Sequence, residues 1–346
     1  MNVCRIGIIG AGRIGKIHAE NICRHLPSFQ LIGIADPYID LNWAQSLNIP
    51  FFTSDMEEII HHPNIDAVLI ASPSTLHVQQ IIAASRAKKA IFCEKPIGLS
   101  EAEIHSCLQV IQSQNSLLQI GFNRRFDPNF ANVCTRVQEG EIGRPQLIRI
   151  TSRDPACPSK EYIKTSGGIF MDMTIHDFDM ARFLCGSEIV EVYATGATLI
   201  RPDFAEYHDV DTAIIQLCFA NGALGVIDNS RQAVYGYDQR AEVFGSKGML
   251  LAHNQSQHTV ECWNEQDKRA AIPPYFFLQR YQASYIAELQ AFYQAWAHAQ
   301  PSPVNGYDGL QALRVACAAQ QSLVAHQPVA IWQENQSHIS HEQQYE

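Results

Sequence analysis

A basic surplus is the first thing this chain lacks: 25 lysines and arginines stand against 35 aspartates and glutamates, a net charge of −10 in 346 residues. With no basic surface to meet a phosphate backbone or an anionic lipid, nucleic-acid and membrane roles are excluded. Long apolar runs are missing too, and none approaches the roughly 18 residues a membrane-spanning helix needs. The opening residues read as a strand followed by a glycine-rich turn, not as a basic segment followed by a long apolar one, so nothing marks the protein for export. The cysteines, ten in number, never occur as C-x-x-C, and their shortest interval runs from Cys93 to Cys107. That spacing suits neither a zinc site nor a disulfide framework; no metal is expected, and reduced thiols in a cytoplasmic protein are the simplest account. Internal repeats and low-complexity linkers are also absent.

What is present is ample apolar material, 46% of the residues, in a chain too long for one ordinary core. Up to Phe122 short β-branched runs (Arg5 to Ile9, Leu31 to Ala35, Ala67 to Ala71, Ala90 to Cys93, Leu117 to Ile120) alternate with amphipathic stretches (Ile14 to Cys23, Leu76 to Ala87, Glu101 to Gln114). Alternation of this kind predicts an α/β domain, a doubly wound parallel sheet of the Rossmann type, over residues 1–122. From 123 to 332 the rhythm changes. A helix over Pro128 to Gln138, a strand over Gln146 to Ser152, further strands and an Asn221-Gly222 hairpin predict an α+β domain on a largely antiparallel open sheet. Helices return at Leu278 to Ala299 and Gly309 to Ala325, and the polar residues 333–346 read as a loose tail.

Gly10-Ala11-Gly12-Arg13-Ile14-Gly15 fits G-x-G-x-x-G between a strand and a helix, with Asp36 at the end of the next strand, 21 residues past Gly15. Gly10 allows the tight turn, Gly12 lets a pyrophosphate approach the backbone, and Gly15 lets helix and strand pack closely. The helix N-terminus then offers free N–H groups to phosphates. Asp36 is placed to bond the adenosine ribose hydroxyls and to repel a 2′-phosphate, which predicts NAD over NADP; its alternative role is an ordinary turn residue before Pro37.

Catalytic candidates come from both halves. Glu94-Lys95-Pro96 follows a strand, so Lys95 stands where open α/β sheets place their ligands, although a lone lysine in a loop is usually a surface residue. In Gly167-Gly168-Ile169-Phe170-Met171-Asp172-Met173-Thr174-Ile175-His176, Asp172 and His176 lie four apart on one helix face. The Asp could hold the His in one tautomer, or the pair could be no more than an acidic helix start and a packed imidazole. If the three converge beside a nicotinamide, His176 accepts the proton of a secondary alcohol, Lys95 stabilises the developing alkoxide and favours neutral His176, and Asp172 orients the pair.

The glycine turn, Ser72-Pro73 with His77, Cys93-Glu94-Lys95-Pro96, Gly121-Phe122-Asn123-Arg124-Arg125-Phe126-Asp127 and the Gly167 to Leu184 segment together resemble the glucose-fructose oxidoreductase and inositol dehydrogenase (Gfo/Idh/MocA) family, over residues 3 to about 330. Ser152-Arg153-Asp154-Pro155 and Asn229-Ser230-Arg231-Gln232-Ala233 resemble the branch that acts on inositol. The resemblance implies Lys95, Asp172 and His176 as catalytic residues, with Arg13, Ile14, Ser72, Pro73, His77, Glu94 and Lys95 joining Gly10, Gly12, Gly15 and Asp36 on the cofactor side. Asp179 matches a further family aspartate that supports the site.

It implies NAD-dependent oxidation of myo-inositol to 2-keto-myo-inositol, a small cyclic polyol as partner, and homo-oligomers, dimers or tetramers, formed through the C-terminal sheet. Arg124, Asp154 and Tyr235, with the catalytic three, are the positions for substrate contact, with salt bridging or packing as the alternative for those first three. Enzymes for scyllo-inositol or other cyclic polyols share the catalytic trio, so the trio specifies chemistry and not the ring. A reading of another class is a catalytically silent dinucleotide-binding regulator.

Overall fold

Short aliphatic runs form the first sheet because both of its faces are covered. β1 (Cys4–Ile9), β2 (Phe29–Ala35), β3 (Phe51–Thr53), β4 (Ala67–Ile70), β5 (Ala90–Glu94) and β6 (Leu118–Gly121) lie in the order 3-2-1-4-5-6, every neighbouring pair parallel. The computed structural model describes residues 2–331, so the expected tail lies outside the described residues. All four positions of β4 are buried, as in a strand covered on both sides. β3, three half-buried residues at the sheet edge, is too short to leave a periodic signal. Strand order reverses between β1 and β4, which opens a crevice at their carboxyl ends.

The second sheet is built from β7 (Pro145–Arg153), β8 (Ile189–Ala197), β9 (Thr212–Phe219), β10 (Leu224–Ser230), β11 (Asp238–Gly245) and β12 (Gly248–Ala252). β13 (Glu261–Trp263) and β14 (Lys268–Ala270) form a separate exposed ribbon, and β15 (Val329–Ala330) pairs with β8 at the sheet edge. The order is 12-11-7-10-9-8-15, and only β7 and β10 run parallel. The Asn221-Gly222 signal does close the β9–β10 hairpin, with Gly222 at φ +85° donating to Phe219 O at 2.9 Å.

Helix limits follow local chemistry. The Glu101–Gln114 helix starts at Ser100, whose Oγ accepts from the Glu103 N–H, and stops at left-handed Asn115. The Pro128–Gln138 helix is capped by the Asp127 carboxylate. The Gly306–Ala325 helix begins three residues before the expected Gly309, because Asn305 and Asp308 make a reciprocal capping box. One long helix expected from Leu278 is instead two, Phe277–Arg280 and Gln282–Ala297. Tertiary anchoring overrides periodicity there: Arg280 pairs with buried Asp127, and the buried Tyr281 ring sits at the break.

The end of the chain completes the core of the first half. On one face of the parallel sheet, Leu310, Ala312 and Leu313 join Val68, Ile91 and Ile120. On the other, Leu289, Phe292 and Tyr293 join Leu69 and Phe92. Val315, Ala316 and Ala319 of the same last helix enter the core beneath the second sheet. The two sheets are therefore pinned together along one side, with a cleft on the other.

Candidate active site

At the end of β1 each glycine of the turn has its own reason. Gly10 has φ +99°, and a Cβ there would stand 2.6 Å from the Ala71 backbone. A Cβ on Gly15 would meet Gly10 O at 2.0 Å. On Gly12 it would meet nothing within 4 Å. Space for a ligand is thus left at the middle glycine, where the Arg13–His25 helix begins without a side-chain cap. That combination fits a dinucleotide pyrophosphate. The Asp36 carboxylate accepts from Ala11 N at 2.6 Å and from Tyr38 N at 2.7 Å, so it braces the turn and brings a negative charge to its edge.

Lys95 leaves β5 at the carboxyl edge, through a cis peptide to Pro96. Its Nζ donates to the main-chain O of Asp172 at 3.0 Å. Asp172 occupies a π-helical turn, Phe170–Thr174, that runs into the Ile175–Cys185 helix, whose first turn carries His176. The expected Asp172–His176 pairing is not what forms. Tyr162 OH donates to Asp172 Oδ1 at 2.7 Å and Arg231 Nη1 lies 2.9 Å from Oδ2, while the buried His176 Nδ1 has no partner among the described residues. Two stronger partners, a phenol and a guanidinium, take the carboxylate away from the imidazole.

Charges are set by this environment. Burial, then the Lys95 and Arg124 cations, holds His176 well below the usual imidazole range, which leaves a neutral ring at pH 7. Burial also lowers the Lys95 ammonium, against the opposing pull of Asp172 and Glu94. For Asp172 burial acts upward, but Arg231 and Lys95 outweigh it and the carboxyl is held low. A neutral base, an ammonium donor and an ionised carboxylate therefore share one wall of a cavity of about 540 Å³.

Of the other expected residues, Arg13, Ile14, Glu94, Arg124 and Asp154 line that cavity. Arg124 is held in a buried ion pair with Asp177 and reaches Tyr237 OH at 3.3 Å. Asp154 lies 3.3 Å from Arg231 Nη1, and burial raises its carboxyl. Asp179 makes a buried pair with Arg125, a supporting role.

Tyr235 is a correction: its hydroxyl donates to Asp238 Oδ2 at 2.5 Å in a different surface depression, beside Arg153 and Ile214. Gly236, at φ +121°, turns the chain between it and Tyr237, and Tyr237 is the tyrosine that lines the cleft. His77 is a second correction. It is 1% exposed, with its ring nitrogens at 2.7 Å from Pro96 O and 2.9 Å from Ser72 O. It braces the loop after Lys95; like Gly10, Gly12, Gly15 and Asp36, neither it, Ser72 nor Pro73 lines the cavity.

Arg231 and Tyr162 are among the cleft residues that go unread in the sequence. Arg231 stands inside the quoted Asn229 to Ala233 motif, where a cation at a strand end was the available signal; Tyr162, in a short helix of its own, gives none.

A family model described as an oxidoreductase family with an NAD-binding Rossmann fold matches residues 4–122, and one described as the GFO/IDH/MocA C-terminal domain matches residues 130–251. An uncharacterized oxidoreductase, YrbE, of Bacillus subtilis is 52% identical over 94% of this chain and 96% of its own length. A myo-inositol 2-dehydrogenase of Thermotoga maritima is 47% identical over 92% of this chain and 96% of its own. The crystal structure of scyllo-inositol dehydrogenase from Lactobacillus casei, with bound NAD(H) and scyllo-inositol, superposes with a TM-score of 0.90 at 33% identity, covering 95% of this chain and 99% of that one.

Proposed function

This chain belongs to the GFO/IDH/MocA oxidoreductase family and binds NAD through its first domain, and on that footing we propose that it oxidises a ring hydroxyl of myo-inositol to 2-keto-myo-inositol. NAD, when bound, supplies the hydride acceptor. Gly10, Gly12, Gly15 and the Arg13 helix would hold its phosphates. Asp36, with its charge at the edge of the turn, favours NAD over NADP.

His176, neutral and inside the cavity, takes the hydroxyl proton. Lys95 donates to the same oxygen as negative charge grows on it. Asp172 stays ionised beside Arg231 and balances the ammonium. The single observation that carries this reading is the 3.0 Å contact from Lys95 Nζ to Asp172 O, which brings a group of the first domain to the turn that leads into the His176 helix.

The protein works as a homo-oligomer, a dimer or tetramer. Exposed Ile214, Leu224, Phe244 and Met249 on the open face of the second sheet support that. A place in the cytoplasm agrees with ten unpaired cysteines, and inositol catabolism follows from the proposed reaction. The test is NADH formation, followed by its near-ultraviolet absorbance, with NAD and a panel of myo-inositol, scyllo-inositol and aldopyranoses. Fastest turnover with myo-inositol is expected. Preference for scyllo-inositol would move the assignment within the family, and no NADH from any of them would favour a silent regulator.

A further inference from the structure

Behind Lys95 three ionisable side chains from three elements meet in the core. His18 comes from the Arg13–His25 helix, Glu94 ends β5, and Glu288 comes from the Gln282–Ala297 helix. One ring nitrogen and one oxygen from each carboxyl all lie within 4.8 Å of one another. His18 and Glu288 are fully buried and Glu94 is 8% exposed. His18 Nε2 meets Glu94 Oε1 at 2.6 Å, and the other Glu94 oxygen accepts from the Lys95 main-chain N–H at 3.3 Å.

Glu288 is the anomaly. Neither of its carboxyl oxygens has a hydrogen-bond partner among the described residues. No cation pairs with it there, and the nearest charge is that of another carboxylate. An ionised carboxylate in such a place would carry the full desolvation cost as well as repulsion from Glu94. Burial and the Glu94 charge both push its carboxyl well above the ordinary range. Tyr285, one turn earlier on the same helix, lays its ring edge-on to His18 at 5.6 Å and closes the cluster toward the cavity. The helix itself is tied to β6 where Gln119 Nε2 donates to Glu288 O at 2.8 Å. Gly121 leaves the room that Glu94 occupies, since a Cβ there would stand 3.1 Å from its carboxyl carbon.

We propose that Glu288 is a neutral carboxylic acid packed against the hydrogen-bonded His18–Glu94 pair, and that the three form a positioning site fixing the backbone from which Lys95 reaches Asp172. The second half of this proposal rests on the role given to Lys95 above; the first does not. A 2.6 Å His18–Glu94 contact is a direct hydrogen bond, so a shared proton, and not a cation between the two, suits the spacing. The cluster joins the helix that starts the phosphate cradle, the strand that presents Lys95 and the helix that closes the first core. It thereby sets the distance between cofactor side and catalytic side, with Glu94 alone of the three reaching the cavity wall.

The test compares wild type, Glu288→Gln and Glu288→Ala as full-length enzymes. Infrared spectra of wild type minus Glu288→Gln, which need no substrate, are expected to show the C=O stretch of a protonated carboxyl that the variant lacks. In steady-state assays Glu288→Gln, of the same shape and also neutral, keeps the wild-type kcat. Glu288→Ala, which empties the space beside Glu94, loses about tenfold or more in kcat at unchanged KM for NAD, the scale of a small misplacement of a catalytic group. Absence of the band overturns the proposal, as does a Glu288→Gln enzyme as impaired as Glu288→Ala. A metal ion found at one per chain in wild type and lost in Glu288→Gln overturns it too, because an ionised ligand set would then be the occupant. Failure of all inositol turnover in wild type removes the dehydrogenase reading but leaves the infrared result standing.

Discussion

Lys95 crosses from the first domain to donate to the main-chain carbonyl of Asp172, and not to its carboxylate. The contact therefore survives loss of the Asp172 charge but not loss of the ammonium. Lys95→Met is expected to lower kcat by about 10² to 10³, the usual span for removing one donor to a developing oxyanion. NAD affinity by calorimetry should stay near wild type. Unchanged turnover in this variant would remove Lys95 from the reaction.

His176→Ala is expected to lower kcat by roughly 10² to 10⁴, as for loss of a general base. The acid limb of the wild-type kcat/KM profile should fall below 6.5, because burial and the Lys95 and Arg124 cations depress the ring in the folded state. The sign for stability follows from the same depression. The unfolded chain binds a proton here first, so the contribution of His176 is whole above 6.5 and is lost as pH falls toward its folded value. Denaturant midpoints of wild type and His176→Gln should converge above that pH and separate below it. An acid limb at or above the ordinary imidazole value would contradict the neutral-ring assignment.

Gly12 and Gly15 should separate binding from folding. A Cβ on Gly12 meets no neighbouring atom within 4 Å, so Gly12→Val is expected to fold and to lose NAD binding. On Gly15 the new Cβ would stand 2.0 Å from Gly10 O, so Gly15→Val also lowers the melting temperature. Calorimetric titration with NAD, paired with thermal melts, checks both. Intact NAD affinity in Gly12→Val would sink the phosphate-cradle reading.

Arg124 and Asp177 are 6% and 0% exposed. Removing one partner leaves an uncompensated buried charge, so Arg124→Leu should cost about 3–5 kcal/mol by urea unfolding. A loss under about 1 kcal/mol, the range of exposed ion pairs, would show that Asp177 finds another partner or takes up a proton.

Much of the fold is legible in residue patterns because local rules and tertiary packing agree there. The runs at Ala67 to Ala71 and Ala90 to Cys93 are strands covered on both faces, and Ser100 and Asp127 start helices where their side chains can cap them. The glycine turn is legible because each glycine answers to a different contact. Where tertiary forces decide, sequence spacing misleads. Four-residue spacing puts Asp172 and His176 on one face, but Arg231 and Tyr162, distant in the chain, capture the carboxylate. Tyr235 and Tyr237 look alike in sequence, and the backbone of Gly236 decides which enters the cleft. His18 and Glu288 belong to apolar-faced helices, and only folding shows that they meet Glu94.

Leu289, Phe292, Leu310 and Leu313 lie in the last fifth of the chain, yet they seal the two sides of the sheet that begins at residue 4. The nucleotide-binding half is consequently not a cartridge that can be cut out. Synthesis must reach Leu313 before that half can shut, and a truncation that removes Leu310 and Leu313 opens the first-made part of the fold as well as the last.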